Sequence, residues 1–275
     1  MRITDDNYVL PEIIALSVVG TAQSGANRPL FIRGIDSQTK EKGVYVLKYQ
    51  GAERMDNRTS GRELLATFLA QAWGLTVPEP VKIIVTDGFL NSITGHQDFS
   101  NIKKSKGCLN FGNVKIMGDA DLSQHAALTP QQVQQAARIF IFDVMIQNAD
   151  RRFEKPNMFL AEGNIHLIDH ELAFGFLYTF SFLRSPKPYI LNETDVKSAM
   201  NHFFYRTLHG NKRLEAMDLF QNFKQLPYDF WGKVRAVMPI EWQTPEIKEI
   251  ETHITQILDN FELFKTEIMT KLWKL

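Results

Sequence analysis

The chain has 275 residues, of which 44% are hydrophobic, and its 31 Lys and Arg residues balance 31 Asp and Glu residues. This length allows one large domain or two modest lobes with a buried core. The balanced charge gives no long-range basic field, so we expect no direct nucleic-acid binding. The single cysteine, Cys108, excludes an internal disulfide framework and a multi-cysteine zinc site, and it fits a reducing compartment.

The sequence also indicates where the protein resides. Its first six residues lack the apolar core of a signal peptide, and no apolar run reaches membrane-spanning length. We therefore expect a cytoplasmic protein without a membrane partner.

The first part of the chain combines strand-like apolar runs with one helical pattern. Such runs occupy 13–20 and 30–34, and the small polar residues between them predict a hairpin around a flexible loop. Further strands are predicted over 44–49 and 78–85. Between these two, the apolar spacing predicts a helix over 61–73.

The second part shows mainly helical patterns. A helix is predicted over 130–145, because Thr129 is a good cap and proline follows it in the first turn. A strand, a turn and a second strand are predicted over 158–168. The remainder alternates helical patterns with loops and ends in an amphipathic helix over 246–275. Before these elements, 109–113 is predicted to connect the two parts.

Three oxygen-bearing side chains follow one another in this second part. Asp150 stands in the loop after the helix, Asn157 enters the hairpin and Asp169 leaves it. Because the turn folds one strand back along the other, we expect Asp169 to return near Asn157. Mg²⁺ takes oxygen ligands and keeps several waters, so these two residues and phosphate oxygens would suffice to hold it. Asp150 would orient an acceptor hydroxyl and accept its proton late, as phosphoryl transfer from Mg-ATP requires.

A simpler interpretation is a charged surface loop between a helix and a strand. For Asp150 alone this interpretation is the favoured one. The order of Asp150, Asn157 and Asp169 on helix, loop and hairpin favours the phosphoryl-transfer site instead. The upstream residues Lys48 and Glu63 add to that preference.

Two neighbours of these residues have roles of their own. Arg151 would either offset the negative charge of the site or hold the loop through hydrogen bonds to carbonyl groups. His170 directly follows Asp169, and a lone histidine beside a metal-binding carboxylate is more often structural. The sequence has no histidine spacing typical of a zinc site.

Lys48 is a single charge among apolar strand residues. A lysine is costly to bury unless a partner or a ligand anion meets it. Glu63, on the following helix, can approach Lys48 and direct it toward the α- and β-phosphates of ATP. In the alternative, Lys48 lies on a sheet edge with its ammonium in water, and Glu63 only favours a helix N-terminus.

The loop over 21–28 is a weaker signal for phosphate binding. Its small residues would let backbone amides approach phosphates, and we name Gln23, Ser24 and Gly25 as the candidates. The loop matches neither the nucleotide-binding glycine pattern nor the Walker sequence. Taken alone, it is better explained as an ordinary hairpin turn.

At the motif around Asp150 the sequence resembles the HipA-like kinase family, bacterial serine/threonine kinases related at a distance to phosphatidylinositol kinases. Family members typically show Asn-x-Asp-Arg-His and a following Asn. This chain has Asn148-Ala149-Asp150-Arg151-Arg152 followed by Asn157, so Arg152 replaces the usual His. An apolar pair and an Asp at 167–169 stand where the family keeps its second metal ligand.

This resemblance implies roles for individual residues. Asp150 would be the catalytic base, Asn157 and Asp169 the magnesium ligands, and Lys48 the lysine that binds phosphate. Because the first strand of the kinase core begins near Ile13, we expect no extra N-terminal subdomain of the kind found in full-length toxin members.

The fold we predict is α+β and protein-kinase-like, a single kinase domain with a small antiparallel β-rich N-lobe (1–110) and a mostly helical C-lobe (111–275). The predicted activity is transfer of the γ-phosphoryl group of ATP, with Mg²⁺, to a protein Ser or Thr hydroxyl. A small-molecule or lipid kinase and a nucleotide-binding module without turnover remain as alternatives. In kinases of this kind the phosphate loop can itself be phosphorylated, and Thr21 and Ser24 are the candidates here.

Overall fold

The computed structural model describes residues 1–22, 28–116, 120–122, 127–180, 182 and 184–274. Its first part contains a closed barrel in the strand order β1-β2-β3-β5-β4. The pairing of β1 with β4 is parallel, and the other four pairings are antiparallel. The strands are β1 (Glu12–Thr21), β2 (Leu30–Asp36), β3 (Lys42–Lys48), β4 (Pro80–Ile84) and β5 (Leu109–Val114).

Helices connect β3 to β4 and β4 to β5, and they form most of the second part. A small antiparallel sheet there consists of β6 (Ala120–Asp121), β7 (Met158–Ala161) and β8 (Asn164–Leu167). The α-helices are α1 (Asn57–Ala72), α2 (Asp87–Ser92), α3 (Phe99–Lys104), α4 (Pro130–Met145), α5 (Glu193–Met200), α6 (Tyr205–Leu208), α7 (Phe230–Val237), α8 (Pro245–Asp259) and α9 (Phe261–Glu267). The predicted α+β architecture, a β-rich first part followed by a helical part, is confirmed. Among the described residues, no helix is long and apolar enough to cross a membrane.

Two apolar cores hold the molecule together. One fills the barrel with strand residues such as Ile32, Leu47 and Ile83. The larger one surrounds α4, which begins at a capping box between Thr129 and Gln132 and is buried along one side. The end of α4 therefore holds the start of the following loop in a fixed position.

Three sequence predictions are wrong in detail. The segment predicted as the connection, 109–113, lies in strand β5. Gly112 explains the weak strand signal, because a Cβ there would lie 2.3 Å from Ile83 Cδ1 and 2.5 Å from the Val46 carbonyl oxygen. Packing against the neighbouring strands requires glycine at this point, although glycine disfavours strands locally.

The other two differences concern helix ends. Helix α1 begins at Asn57 instead of residue 61, because Asp56 caps it by accepting the backbone N–H of Thr59. Its polar first turn contributes nothing to the apolar spacing. The predicted final helix is interrupted at Asn260 between α8 and α9, and it continues as π-helical turns over Ile268–Trp273.

Candidate active site

A cleft of about 1020 Å³ is lined by residues of both the barrel and the helical part. Lys48, Asp150, Asn157 and Asp169 all line it, so the structure brings together four side chains that are distant in sequence. Thr21 lines the cleft as well, at the end of β1. The predicted phosphate-loop residues Gln23, Ser24 and Gly25 lie outside the described residues.

Lys48, the last residue of β3, is buried and forms two ion pairs. Its Nζ donates to Glu63 Oε1 at 3.0 Å and to Asp169 Oδ1 at 2.9 Å. Burial lowers the pKa of Lys48, but the negative charges of Asp169 and Glu63 outweigh this effect and hold that pKa above its ordinary value. The ammonium is therefore charged within the cleft wall, which excludes the interpretation in which it extends into water.

Glu63 reaches Lys48 from the second turn of α1 and is only 1% exposed. Burial raises the pKa of Glu63, against the lowering effect of Lys48. Helix α1 packs closely against the backbone at Trp242. A Cβ on Gly61 would lie 2.4 Å from the carbonyl oxygen of Trp242. This close backbone approach ties the position of Glu63 to the C-terminal part of the chain.

Asp150 is held by side chains of its own loop, including a contact of 3.5 Å from Arg152 Nη2 to Oδ1. Lys155 Nζ donates to Asp150 Oδ2 at 2.7 Å, and Asn157 Nδ2 donates to the same oxygen at 3.1 Å. Lys155 also lies 3.2 Å from Asp169 Oδ2. Burial lowers the pKa of Lys155, but the charges of Asp169 and Asp150 raise it overall. A single ammonium thus lies between the two carboxylates, which the simple surface-loop interpretation does not explain.

Both predicted metal ligands have left-handed backbone conformations. The φ angle is 49° at Asn157 and 60° at Asp169. Among residues with a Cβ, Asn and Asp adopt this region most readily. The two segments are joined by the backbone N–H of Ile168, which donates to the carbonyl oxygen of Asn157 at 3.0 Å. Such conformations concentrate at functional sites, where the surrounding structure enforces them.

Arg151 holds the loop from inside and is completely buried. Its Nε donates to Asp143 Oδ2 at 2.5 Å, and its Nη1 donates to the carbonyl oxygens of Asn157 at 2.5 Å and Ile168 at 3.4 Å. His202 Nε2 lies 3.0 Å from the same Asp143 oxygen. Of the two roles predicted for Arg151, the structure shows the second, because its charge is matched by Asp143 and its hydrogen bonds fix the loop.

Asp169 is followed by two buried titratable residues. His170 is buried, and burial followed by the charge of Arg151 lowers its pKa to about 3, so it is a neutral residue of the interior. Glu171 is 4% exposed, lines the cleft and lies 4.0 Å from Arg54. Burial and then the charge of Asp169 raise the pKa of Glu171 to about 7.

Sequence reasoning missed Lys155, Glu171 and Asp143. The sequence does contain a signal for Lys155, because this cation stands between the two predicted site carboxylates. It also contains a signal for Glu171, a second carboxylate two positions after Asp169. Asp143 carried no signal, because an Asp near the end of an amphipathic helix is usually exposed.

The residues around Asp169 fit a divalent cation. In the described part of the chain, no group of three or more His, Cys, Asp or Glu side chains is arranged to hold a metal. A magnesium ion would therefore take the Asp169 carboxylate and the Asn157 amide from the protein and its other ligands from phosphate and water. The ammonium of Lys155 between Asp150 and Asp169 indicates that this point of the cleft accommodates positive charge.

Three features define a protein of the protein-kinase-like class. They are the β-barrel, the buried lysine paired with a helical glutamate, and the loop that presents Asp, Asn and Asp. More specifically, a family model described as HipA-like kinase matches residues 15–268. The chain belongs to the HipA-like kinase family.

Two further comparisons complete these findings. The solved structure of the Neurospora crassa PAN3 pseudokinase is similar over 90% of this chain and 63% of that chain, with 12% sequence identity and a TM-score of 0.33. This chain thus spans less than two thirds of that protein. A search of the curated proteins finds no match.

Proposed function

We propose that this protein transfers the γ-phosphoryl group of ATP, with Mg²⁺, to the hydroxyl of a protein Ser or Thr. The observation that carries the proposal is the double pairing of the Lys48 ammonium with Glu63 and Asp169 in the cleft that Asp150 also lines. A buried lysine held by two carboxylates is suited to an anionic ligand, since it is charged and directed before the ligand arrives.

Each residue then has a separate task. Lys48 would bind the α- and β-phosphates, and Glu63 would direct it. Asp150 would orient the acceptor hydroxyl and take up its proton. Asn157 and Asp169 would hold the magnesium ion, which when bound supplies positive charge to the phosphate oxygens.

Lys155 has a further role in the proposed transfer. Its ammonium contacts both Asp150 and Asp169, so it would stabilise the negative charge that develops on the phosphoryl group during transfer. We retain Gln23, Ser24 and Gly25 as candidate phosphate-binding residues, since Thr21 and Ala22 before them line the cleft. Autophosphorylation at Thr21 or Ser24 remains part of the proposal.

The proposal treats the chain as one kinase domain with an N-lobe over 1–110 and a C-lobe over 111–275. A cytoplasmic location and a bacterial source are parts of the same proposal. A small-molecule or lipid kinase would use the same arrangement of Lys48, Asp150, Asn157 and Asp169. These four residues therefore do not distinguish a protein acceptor from a small-molecule or lipid acceptor.

Labelled ATP and Mg²⁺ test the proposal on the wild type and on Asp150→Ala and Asp169→Ala. We expect both variants to lose transfer, while Asp259→Ala, at an exposed position on α8, retains it. Protein extract, small hydroxyl compounds and lipid vesicles as acceptors separate the three kinase classes. Undiminished transfer in both cleft variants would contradict the site. ATP binding without transfer to any acceptor would favour a binding module.

A further inference from the structure

A second cavity lies next to the loop that carries Asp150 and has a volume of about 580 Å³. We call it the α8 cavity, because Glu249, Thr252, His253 and Gln256, which share one face of α8, line it. Its other walls come from Asn148 and Ala149, the turn at Gly175–Tyr178, the segment over 184–188 and α5. Lys48, Glu63, Asn157 and Asp169, the described residues proposed to act on ATP or magnesium, do not line it.

An aromatic shelf forms one wall of the α8 cavity. The rings of Phe176 and His253 stack with centroids 4.1 Å apart and planes 8° from parallel. His253 Nε2 lies 3.0 Å from the carbonyl oxygen of Met145 and must donate to it, because a carbonyl only accepts. In the neutral ring Nδ1 is then an acceptor, and it has no hydrogen-bond partner among the described residues. The cavity therefore contains a ring nitrogen that can accept a hydrogen bond, beside a flat aromatic face.

The charged residues of the wall favour a cation. They are Asp143, Asp195, Glu249 and Arg184. The charge of Asp143 is matched by buried Arg151 behind the wall. The carboxylates of Asp195 and Glu249 then exceed the single guanidinium of Arg184 by one negative charge.

Arg184 itself demonstrates which chemical group the shelf accepts. Its guanidinium carbon lies 5.8 Å from the centroid of the Phe176 ring, and Nη1 pairs with Glu249. Guanidinium groups bind well where an aromatic face and a carboxylate meet. Phe180 and Phe182, which precede Arg184 in the chain, are 72% and 81% exposed and stacked on each other.

The position of the cavity relates it to the acceptor. Asn148 and Ala149 line the α8 cavity, whereas Asp150 lines the cleft. Consecutive Cα atoms are about 3.8 Å apart, so the α8 cavity and the cleft adjoin at the step from Ala149 to Asp150. We propose that the α8 cavity binds the guanidinium or ammonium group of a basic residue that flanks the phosphorylated Ser or Thr. This inference rests on the proposed function and specifies its substrate class.

Ser-centred peptide libraries test the inference, with Arg, Lys or Gln fixed at one of the three positions on either side of the serine. We expect Arg or Lys at one position to raise kcat/KM about fivefold over Gln. Glu249→Gln should remove the preference for Arg or Lys over Gln. Arg184→Gln should increase it, since the variant removes a competing guanidinium and makes the wall more negative. Glu193→Gln, whose side chain is 93% exposed and outside the cavity, should leave the ratio as in the wild type.

A second measurement does not depend on phosphoryl transfer. Agmatine, a small free guanidinium compound, is titrated into ¹⁵N-labelled protein while the Nδ1 resonance of His253 is followed. We expect a saturable shift that Glu249→Gln weakens and Arg184→Gln strengthens. If transfer fails altogether but the shift is seen, the proposed function is wrong while the cation site stands.

The remaining outcomes also decide the inference. Agmatine binding without any peptide preference would overturn the assignment to an acceptor side chain and leave a site for a free organic cation. No shift of His253 and no preference for Arg or Lys would overturn the inference entirely, whether or not the protein is an active kinase.

Discussion

Lys155 and Asp150 form an ion pair within one loop, with 2.7 Å between Nζ and Oδ2. The proposed catalytic carboxylate is thus paired with a lysine five positions later in the chain. The same ammonium lies 3.2 Å from Asp169 Oδ2. The pairing thus places the positive charge of Lys155 between the two carboxylates of the proposed site.

Lys155→Met is expected to lower kcat about 10²-fold, because it removes a positive charge at the point where negative charge develops in the transition state. Steady-state phosphotransfer measures this effect, and the KM for ATP should change much less than kcat. Lys197→Met provides the control, since its side chain is 77% exposed. An unchanged kcat in Lys155→Met would show that Lys155 only occupies the cleft in the absence of ligand.

Lys48→Met is expected to destabilise the fold as well as weaken nucleotide binding. It leaves the buried carboxylate of Glu63 without its cation, while Asp169 retains Lys155. Removing one partner of a buried pair in this way costs about 3–5 kcal/mol. Without Lys48, burial raises the pKa of Glu63 in the folded variant above that of the unfolded chain. The stability of the variant therefore increases as the pH falls, and this contribution is lost as the pH rises through the pKa of Glu63 in the folded state. Urea unfolding at pH 5 and pH 8 checks the sign, and an opposite trend would contradict it.

Asp143→Asn tests whether the buried network behind the loop positions Asp150. Arg151 would retain hydrogen-bonding partners but lose the only carboxylate within reach among the described residues, Asp143. We expect a loss of about 3 kcal/mol in the free energy of unfolding and a fall in kcat at temperatures where the variant remains folded. Asp259→Asn is the surface control. A variant with wild-type stability and activity would remove Asp143 from the positioning network.

Much of the site could be predicted because local chemistry encodes it. Lys48 is the one charge in the apolar run over 44–49, and Asp150, Asn157 and Asp169 keep a definite order on a helix, a loop and a hairpin. The failures have physical causes that lie beyond local sequence. Strand β5 contains Gly112 because neighbouring strands approach it closely, so its composition resembles a loop. The pairing of Lys155 depends on how the loop closes, which residue spacing alone does not specify.

His253 is expected to make the fold sensitive to acid. Burial lowers its pKa to about 4, below the value of about 6.5 in an unfolded chain. Above pH 6.5 neither state binds the proton. As the pH falls from 6.5 toward 4, only the unfolded state binds it, so stability falls by about 1.4 kcal/mol per pH unit for this residue. His253→Gln keeps a donor for the Met145 carbonyl and should remove this part of the slope in urea unfolding between pH 7.5 and pH 5. Equal slopes would mean that His253 is protonated in the folded protein.

Gly61→Ala reverses an ordinary rule of helix stability. Alanine in place of glycine in a helix interior usually stabilises by about 1 kcal/mol. At Gly61 the new Cβ would lie 2.4 Å from the backbone oxygen of Trp242, which no side-chain rotation can relieve. We therefore expect a loss of about 1–3 kcal/mol, together with reduced ATP affinity because α1 also carries Glu63.

Gly88→Ala in α2 is the matched control for Gly61→Ala. Its new Cβ would meet only Thr86 Oγ1 at 3.7 Å, so we expect the variant to be neutral or slightly stabilised. Urea midpoints and ATP titrations of the two variants, measured side by side, separate helix propensity from packing. If Gly61→Ala were as stable as Gly88→Ala, α1 would have room to shift away from Trp242. The position of Glu63 would then not depend on the C-terminal part of the chain.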